Sequence, residues 1–189
     1  MMKDSIEMES KRLFLRNVMM SDLEDLLTYA GDYNVADTMN GSIPHPYSRE
    51  AAQLWISKHQ EDSSKSAAIS WAISKKPNRV FIGSIQLRID KERKSARFSY
   101  WLGKPFWNQG FASEAGKKVI EYGFKLLNLD RIEADHFDRN PSSGAVLRKL
   151  GFQHTGNVCK QEKLENRQEN FEMYCLLKED YYKQTTSSI

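Results

Sequence analysis

Only two cysteines occur in the 189 residues, Cys159 and Cys175, too few and too far apart to frame a disulfide scaffold. Neither shares metal-ligand spacing with the four histidines, so each reads as a small, half-buried strand residue. Long apolar runs are missing as well: none approaches the roughly 18 residues that a bilayer span requires. The first ten residues are polar and acidic, with no basic segment leading into an apolar one, so no secretory signal is expected. Charge of one sign is also lacking. The net value of +3 is spread along the chain, which excludes the basic footprint of a nucleic-acid binder and leaves a mild attraction for an anionic ligand. Repeats, low-complexity stretches and Gly/Ser-rich linkers do not occur. The expectation is a cytoplasmic protein with no membrane, nucleic-acid or metal role.

What is present is an ordinary globular composition, 40% hydrophobic and 28% charged. One domain over 1–189, with a core at about 10–178 and a frayed tail from Gln184 to Ile189, can bury enough apolar surface to stand without staples. Residues 12–18 read as a first strand. Ser21 and Glu24 form a capping-box pattern before a helix whose apolar face is Leu23, Leu26, Leu27 and Ala30. After the loop GSIPHPYS, Ser48 caps a second helix to about Glu61, with Ala51, Leu54 and Trp55 inward.

Period-two alternation then takes over at Ala67, Ile69, Trp71 and Ile73. A second alternation slips phase at Gly83-Ser84, which predicts a bulge. A third strand over 96–102 pairs with it across the polar turn 90–94. A helix over about 112–127 carries Val119, Ile120, Phe124 and Leu127 on one face, and Gly116 and Gly123 there suggest close approach to a sheet. Residues 131–137 form the next strand, with Ile132, Ala134 and His136 on one face. Asn140-Pro141 starts a short helix that Gly151 ends. Two strands follow, joined by the charged turn EKLENRQ. This order implies an α/β (α+β) fold: a mixed, mostly antiparallel twisted sheet of about seven strands with helices on both faces.

Two segments carry chemistry. WNQGFASEA, residues 107–115, runs from a strand into a helix, where unpaired N–H groups and the helix dipole suit a phosphate. It lacks the GK[ST] of a Walker loop and is not G-x-G-x-x-G. NPSSGAVLRKLGF, residues 140–152, is a capped helix leaving a strand, and by spacing alone Asn140 is a cap.

Together with the opening RLFLRNVMMSDLEDLL and with FSYWLGKPFWNQGFASEA, these segments resemble the GNAT superfamily of N-acetyltransferases, and more closely its RimJ/RimL-like branch. The resemblance spans about residues 10–178. It implies acetyl-CoA as co-substrate, an amine acceptor (a small molecule or a peptide N-terminus) and direct transfer without an acyl-enzyme. The family's Q/R-x-x-G-x-G/A loop falls on Trp107, Asn108, Gln109, Gly110, Phe111 and Ala112, followed by Ser113, with backbone amides holding the pyrophosphate. Trp107 replaces Gln or Arg at the first position, so only the amides need serve. The pantetheine arm would lie between the strand of Tyr100, Trp101 and Leu102 and that of His136, with a backbone N–H near 100–102 stabilising the oxyanion. Asn140 would bond the arm, and Ser143 matches the group that protonates the leaving thiolate.

The base is open. Many relatives carry Glu about where Arg97 stands, and Arg cannot act as a base. A water path ranks first and His136 second, with His45 and Glu133 also in view. One of Tyr100 and Trp101, which face opposite ways, is expected to meet the ligand. A homodimer through sheet edges is a further expectation. The alternative function is a catalytically silent acetyl-CoA sensor or scaffold of the same fold.

Overall fold

In the computed structural model, which describes residues 7–65, 67–161 and 166–186, eight strands form a single sheet. The strands are β1 (Met8–Glu9), β2 (Leu13–Arg16), β3 (Ala68–Lys75), β4 (Val80–Asp90), β5 (Ser95–Leu102), β6 (Arg131–Phe137), β7 (Gln153–Gln161) and β8 (Gln168–Leu177). Their spatial order is β1-β2-β3-β4-β5-β6-β8-β7, and every pair is antiparallel except β5 with β6. The eighth strand is the dipeptide β1, two residues too short to leave a periodic signal, which pairs Met8 with Leu15.

The helices are α1 (Leu23–Ala30), α2 (Tyr33–Ala36), α3 (Arg49–Lys65), α4 (Phe111–Lys125), α5 (Pro141–Lys149) and α6 (Lys178–Thr186). Two buried clusters, one on each face of the sheet, show how they pack. Val119, Ile120 and Phe124 of α4 and Leu147 of α5 join Trp71, Ile85, Phe98 and Ile132 on one face. Leu26 and Ala30 of α1, Val35 of α2 and Ile56 of α3 join Ala72, Phe81 and Trp101 on the other. β3 lies between them and is buried on both sides, so its alternation is one of partners rather than of exposure.

Local chemistry departs from expectation at several points. The carboxylate before α1 belongs to Asp22, not to a Ser21–Glu24 box: Asp22 accepts from the Met19 N–H at 2.8 Å, and Glu24 pairs instead with Arg49. Asp22 also holds Arg16 at 2.6 Å, and both side chains are about 4% exposed. Ser48 caps α3 as expected, accepting from the Ala51 N–H, but Ala52 and Ile56 face inward and Leu54 is 70% exposed. The apolar residues of this polar helix were too few to fix its phase.

The bulge falls at Ile82, one position before the expected slip, because Ile73 pairs with Gly83 and Ser74 with Phe81. A Cβ on Gly83 would lie 2.2 Å from the Trp101 carbonyl oxygen, so only glycine lets β4 and β5 close there. Gly123 faces Ile132 of the sheet, whereas Gly116 makes room for Leu150 at the end of α5. The tail read as frayed from Gln184 is helical to Thr186, and Tyr181 of α6 stacks on Phe124 at 5.0 Å. Residues 187–189, and Glu162 to Glu165 of the charged turn, lie outside the described residues. No helix among the described residues is long and apolar enough to cross a membrane.

Candidate functional site

β5 and β6 run parallel but pair only at Ser95–Arg131, Ala96–Ile132 and Arg97–Glu133. Beyond that point each strand keeps its outer neighbour, β5 with β4 as far as Leu102 and β6 with β8 as far as Phe137. A wedge therefore opens between residues 98–102 and 134–137. Backbone groups alternate in direction along a strand, so those of 98–102 that turn away from β4 face the wedge without a strand partner. Such groups suit an extended amide-bearing ligand, which adds itself as a strand does.

Across this wedge the hydroxyl of Tyr100 on β5 lies 3.1 Å from that of Ser143 in the first turn of α5. Burial raises the Tyr100 pKa, with the Ser143 contact opposing it in part, so the phenol stays protonated at neutral pH. Asn140 caps α5, its side-chain oxygen accepting from the Ser143 N–H at 3.3 Å, and its amide N–H2 has no partner among the described residues. Of the two aromatic neighbours on β5, Tyr100 thus points toward Ser143. Trp101 packs on the opposite face against Phe81 and Trp55, at 5.8 and 6.4 Å between centroids.

The loop from β5 to α4 is tied at each step. Trp107 gives its indole N–H to the Leu102 carbonyl at 2.7 Å, and Gln109 gives its side-chain amide to the Pro105 carbonyl at 2.7 Å. Neither side chain is turned to a ligand, so only backbone amides are offered. Asn108 and Gly110 are left-handed, at φ 58° and 77°. The α4 ladder begins with Glu114 N–H to the Gly110 carbonyl, leaving the N–H groups of Phe111, Ala112 and Ser113 ahead of it at the positive end of the helix. Phe111, Ala112 and Ser113 have buried side chains, so what the start of the helix presents there is main chain.

Arg12 and Glu114 join this loop without any motif to announce them. Arg12 donates to the Gln109 carbonyl at 3.0 Å and to Glu114 at 2.7 Å, and its guanidinium lies 4.3 Å from the Phe111 ring centroid. Burial pushes the Glu114 carboxyl up, but Ser10, the Arg12 N–H and the Arg12 guanidinium together hold it below the ordinary value. Sequence spacing had no way to reveal this pair, because the sheet brings β2 beside α4 from 102 residues away.

The candidate bases are dispersed. His136 is buried on the α4–α5 face, its Nδ1 donating to the Phe137 carbonyl at 2.7 Å. Its Nε2 has no hydrogen-bond partner among the described residues and faces Gly144, where a Cβ would come within 2.6 Å. Glu133 pairs with Arg131 at 2.8 Å, and His45 is exposed, its ring against Tyr33. Arg97 bonds the carboxylate of Asp135 across the vertex of the wedge, on the face opposite His136. Further out, Asp37 after α2 is gripped by Arg139 and Arg167, and both arginines also hold Glu169. Cys159 is exposed, and the Cys175 thiol is pushed up by burial and then by Glu133, which leaves it protonated.

Comparison with known proteins agrees with this geometry. The Acetyltransferase (GNAT) domain family matches residues 12–153. The chain is 35% identical over 173 residues to a Bacillus licheniformis protein named "Uncharacterized N-acetyltransferase p20", covering 91% of this chain and 96% of that one. Its fold matches a Vibrio cholerae spermidine N-acetyltransferase solved with CoA and spermine, at a TM-score of 0.78, 21% identity and coverage of 92% and 99%. It also matches RimL, a ribosomal L7/L12 alpha-N-protein acetyltransferase, at a TM-score of 0.80, 20% identity and coverage of 92% and 94%. The chain belongs to the GNAT family and is an acetyl-CoA-dependent N-acetyltransferase.

Proposed function

We propose that this enzyme moves acetyl directly from acetyl-CoA to a primary amine, either a protein N-terminus or a small amine. The carrying observation is the wedge itself, with amide donors at 111–113 on one side and the Tyr100–Ser143 hydroxyl pair reaching across it. In this reading the pantetheine arm lies in the wedge, bonded by Asn140 and by backbone groups of Tyr100, Trp101 and Leu102. The pyrophosphate meets the main chain of Gln109, Gly110, Phe111, Ala112 and Ser113.

The acceptor ammonium first loses a proton, by a water path or, second, to Nε2 of His136. The neutral nitrogen then attacks the thioester carbon, and a backbone N–H of 100–102 takes the oxyanion's charge. The C–S bond breaks, and Ser143 delivers a proton to the thiolate with Tyr100 as its hydrogen-bonded neighbour. The second amine proton, passed through water, replaces the one Ser143 gave up, so the net reaction releases a single proton to solvent.

The RimJ/RimL-like branch is part of the proposal, supported by the sequence resemblance and by the fold match to RimL. The spermidine enzyme of the same fold keeps small amines in view. A cytoplasmic setting fits two free thiols and a cytoplasmic acetyl donor. A homodimer through a sheet edge completes the reading, with β7 exposed along most of its length.

Calorimetric titration with acetyl-CoA, then thiol release against spermidine, small amines and peptides with free N-termini, tests it. Thiol release with one acceptor class supports the proposal and names the class. Tight binding with no release on any primary amine would count against the acceptor assignment.

A further inference from the structure

Gln109 stands between two left-handed residues, Asn108 and Gly110, and its carbonyl belongs to the peptide that leads into the second of them. A trans peptide points its C=O and N–H in opposite directions, so where the Gln109 carbonyl looks decides where the Gly110 N–H looks. In short turns such a peptide has a second orientation, rotated by about half a turn, that exchanges the two. In one orientation the loop shows an anion a donor; in the other it shows a carbonyl oxygen.

One side chain from outside the loop holds this carbonyl. Arg12, just before β2, donates from Nη1 to Gln109 O at 3.0 Å. Arg12 is itself fixed on three sides. Its Nε donates to Glu114 Oε2 at 2.7 Å, its backbone N–H donates to Glu114 Oε1 at 2.7 Å, and its guanidinium lies over the Phe111 ring. Ser10 adds a donor to Glu114 Oε1 at 2.7 Å, so the carboxylate that orients Arg12 is oriented in turn. A charge-assisted, forked contact of this kind fixes direction better than a single neutral bond.

We propose that Arg12 is a positioning residue for the cofactor pyrophosphate. By drawing the Gln109 carbonyl to itself, it keeps that oxygen away from the anion and turns the Gly110 N–H toward it. The proposal rests on the loop assignment made above. Arg12 makes and breaks no bond in the reaction.

Two acetyl donors separate this role from simple structural support: acetyl-CoA, and S-acetylpantetheine, which has the same thioester and no pyrophosphate. Arg12→Ala should lower kcat/KM for acetyl-CoA by about tenfold, the order expected from one charge-assisted hydrogen bond. The loss should fall on KM, and the preference for acetyl-CoA over S-acetylpantetheine should shrink by the same factor. Arg12→Lys should recover part of it, since lysine can reach the carbonyl but cannot also fork to Glu114.

Equal loss on both donors would overturn the proposal in favour of a structural role, and so would an unchanged preference. If Arg12→Ala does not fold, Glu114→Gln, which keeps the shape and weakens the grip on Arg12, should show the same donor-selective loss in smaller degree. If the unaltered enzyme fails to prefer acetyl-CoA, the loop assignment itself falls, and Arg12's role falls with it.

Discussion

The hydroxyl oxygens of Tyr100 and Ser143 lie 3.1 Å apart, joining the middle of β5 to the first turn of α5 across the parted strands. A lone serine is a weak acid, and in the proposed mechanism the buried phenol beside it would share the proton that a departing thiolate needs. Ser143→Ala should therefore slow turnover by roughly ten- to a hundredfold, within the range of general acid–base effects, with acetyl-CoA affinity little changed. Tyr100→Phe should do the same to a lesser degree. Steady-state kcat together with calorimetric Kd checks both, and unchanged turnover in Ser143→Ala would remove its acid role.

The same pair has a spectroscopic signature. Burial raises the Tyr100 pKa and the Ser143 contact lowers it, so removing the serine hydroxyl should raise it further. Ultraviolet titration of Ser143→Ala, with Tyr100→Phe subtracted, should show the phenolate appearing at higher pH than in the unaltered enzyme. A downward move would contradict the hydrogen-bond assignment.

Gly110 sits at φ 77°, yet a Cβ there would meet nothing nearer than Arg12 Nη2 at 3.6 Å. The penalty of Gly110→Val is thus conformational rather than a clash, about 1–2 kcal/mol or somewhat more for a β-branched residue. The fold should survive while the loop changes shape, and acetyl-CoA affinity should fall at least tenfold by calorimetry. Unaltered affinity would show that these amides do not hold the cofactor.

The fold was legible wherever periodicity met punctuation. The β4–β5 hairpin, the strand at 131–137 and the capped helix after Asn140 each combine an apolar pattern with a turn or cap residue. α3 and α6 were harder, being polar helices with few anchors. The loop at 107–113 and Ser143 were singled out through the family resemblance, and their part in binding and catalysis is the proposal made above. Arg12, Glu114 and Asp135 were not, because each gains its role from a partner far off in sequence. Position 97 illustrates the limit: the sequence shows an arginine where relatives often carry a carboxylate, and only the sheet supplies Asp135 as its partner.

Glu114 makes a pH-dependent contribution with a definite sign. Its carboxyl is held below the ordinary value, so the stabilisation is complete above that value and is lost as pH falls through the lowered one. Denaturant unfolding across this acid window should show the unaltered enzyme losing more stability than Glu114→Gln. Parallel curves would mean that the carboxylate is not specifically held.

Arg16 and Asp22 form an ion pair with both side chains about 4% exposed. Removing one partner leaves a buried charge, so Asp22→Ala should destabilise by about 3–5 kcal/mol. Replacing both by apolar residues should cost much less. Chemical denaturation of the single and double variants checks this.

Substituting both Cys159 and Cys175 should leave turnover standing, and mass spectrometry after incubation with acetyl-CoA should find no acetylated cysteine. The raised pKa of the Cys175 thiol supports this, since a protonated thiol is a poor nucleophile. A stable acyl adduct would argue for a two-step transfer.

Because β5 and β6 join at only three residue pairs, the sheet is two plates hinged at one end, five strands on one side and three on the other. A ligand lying along the opening is then a splice as well as a substrate, completing hydrogen bonds that the chain leaves unmade. Free acetyl-CoA at about a hundred times its Kd would add about 2.7 kcal/mol to the unfolding free energy. That gain should register at the hinge itself, as slowed amide exchange in residues 98–102 and 134–137. The enzyme charged with its donor would be the stiffer form, and release of CoA would restore the faster exchange along the opening.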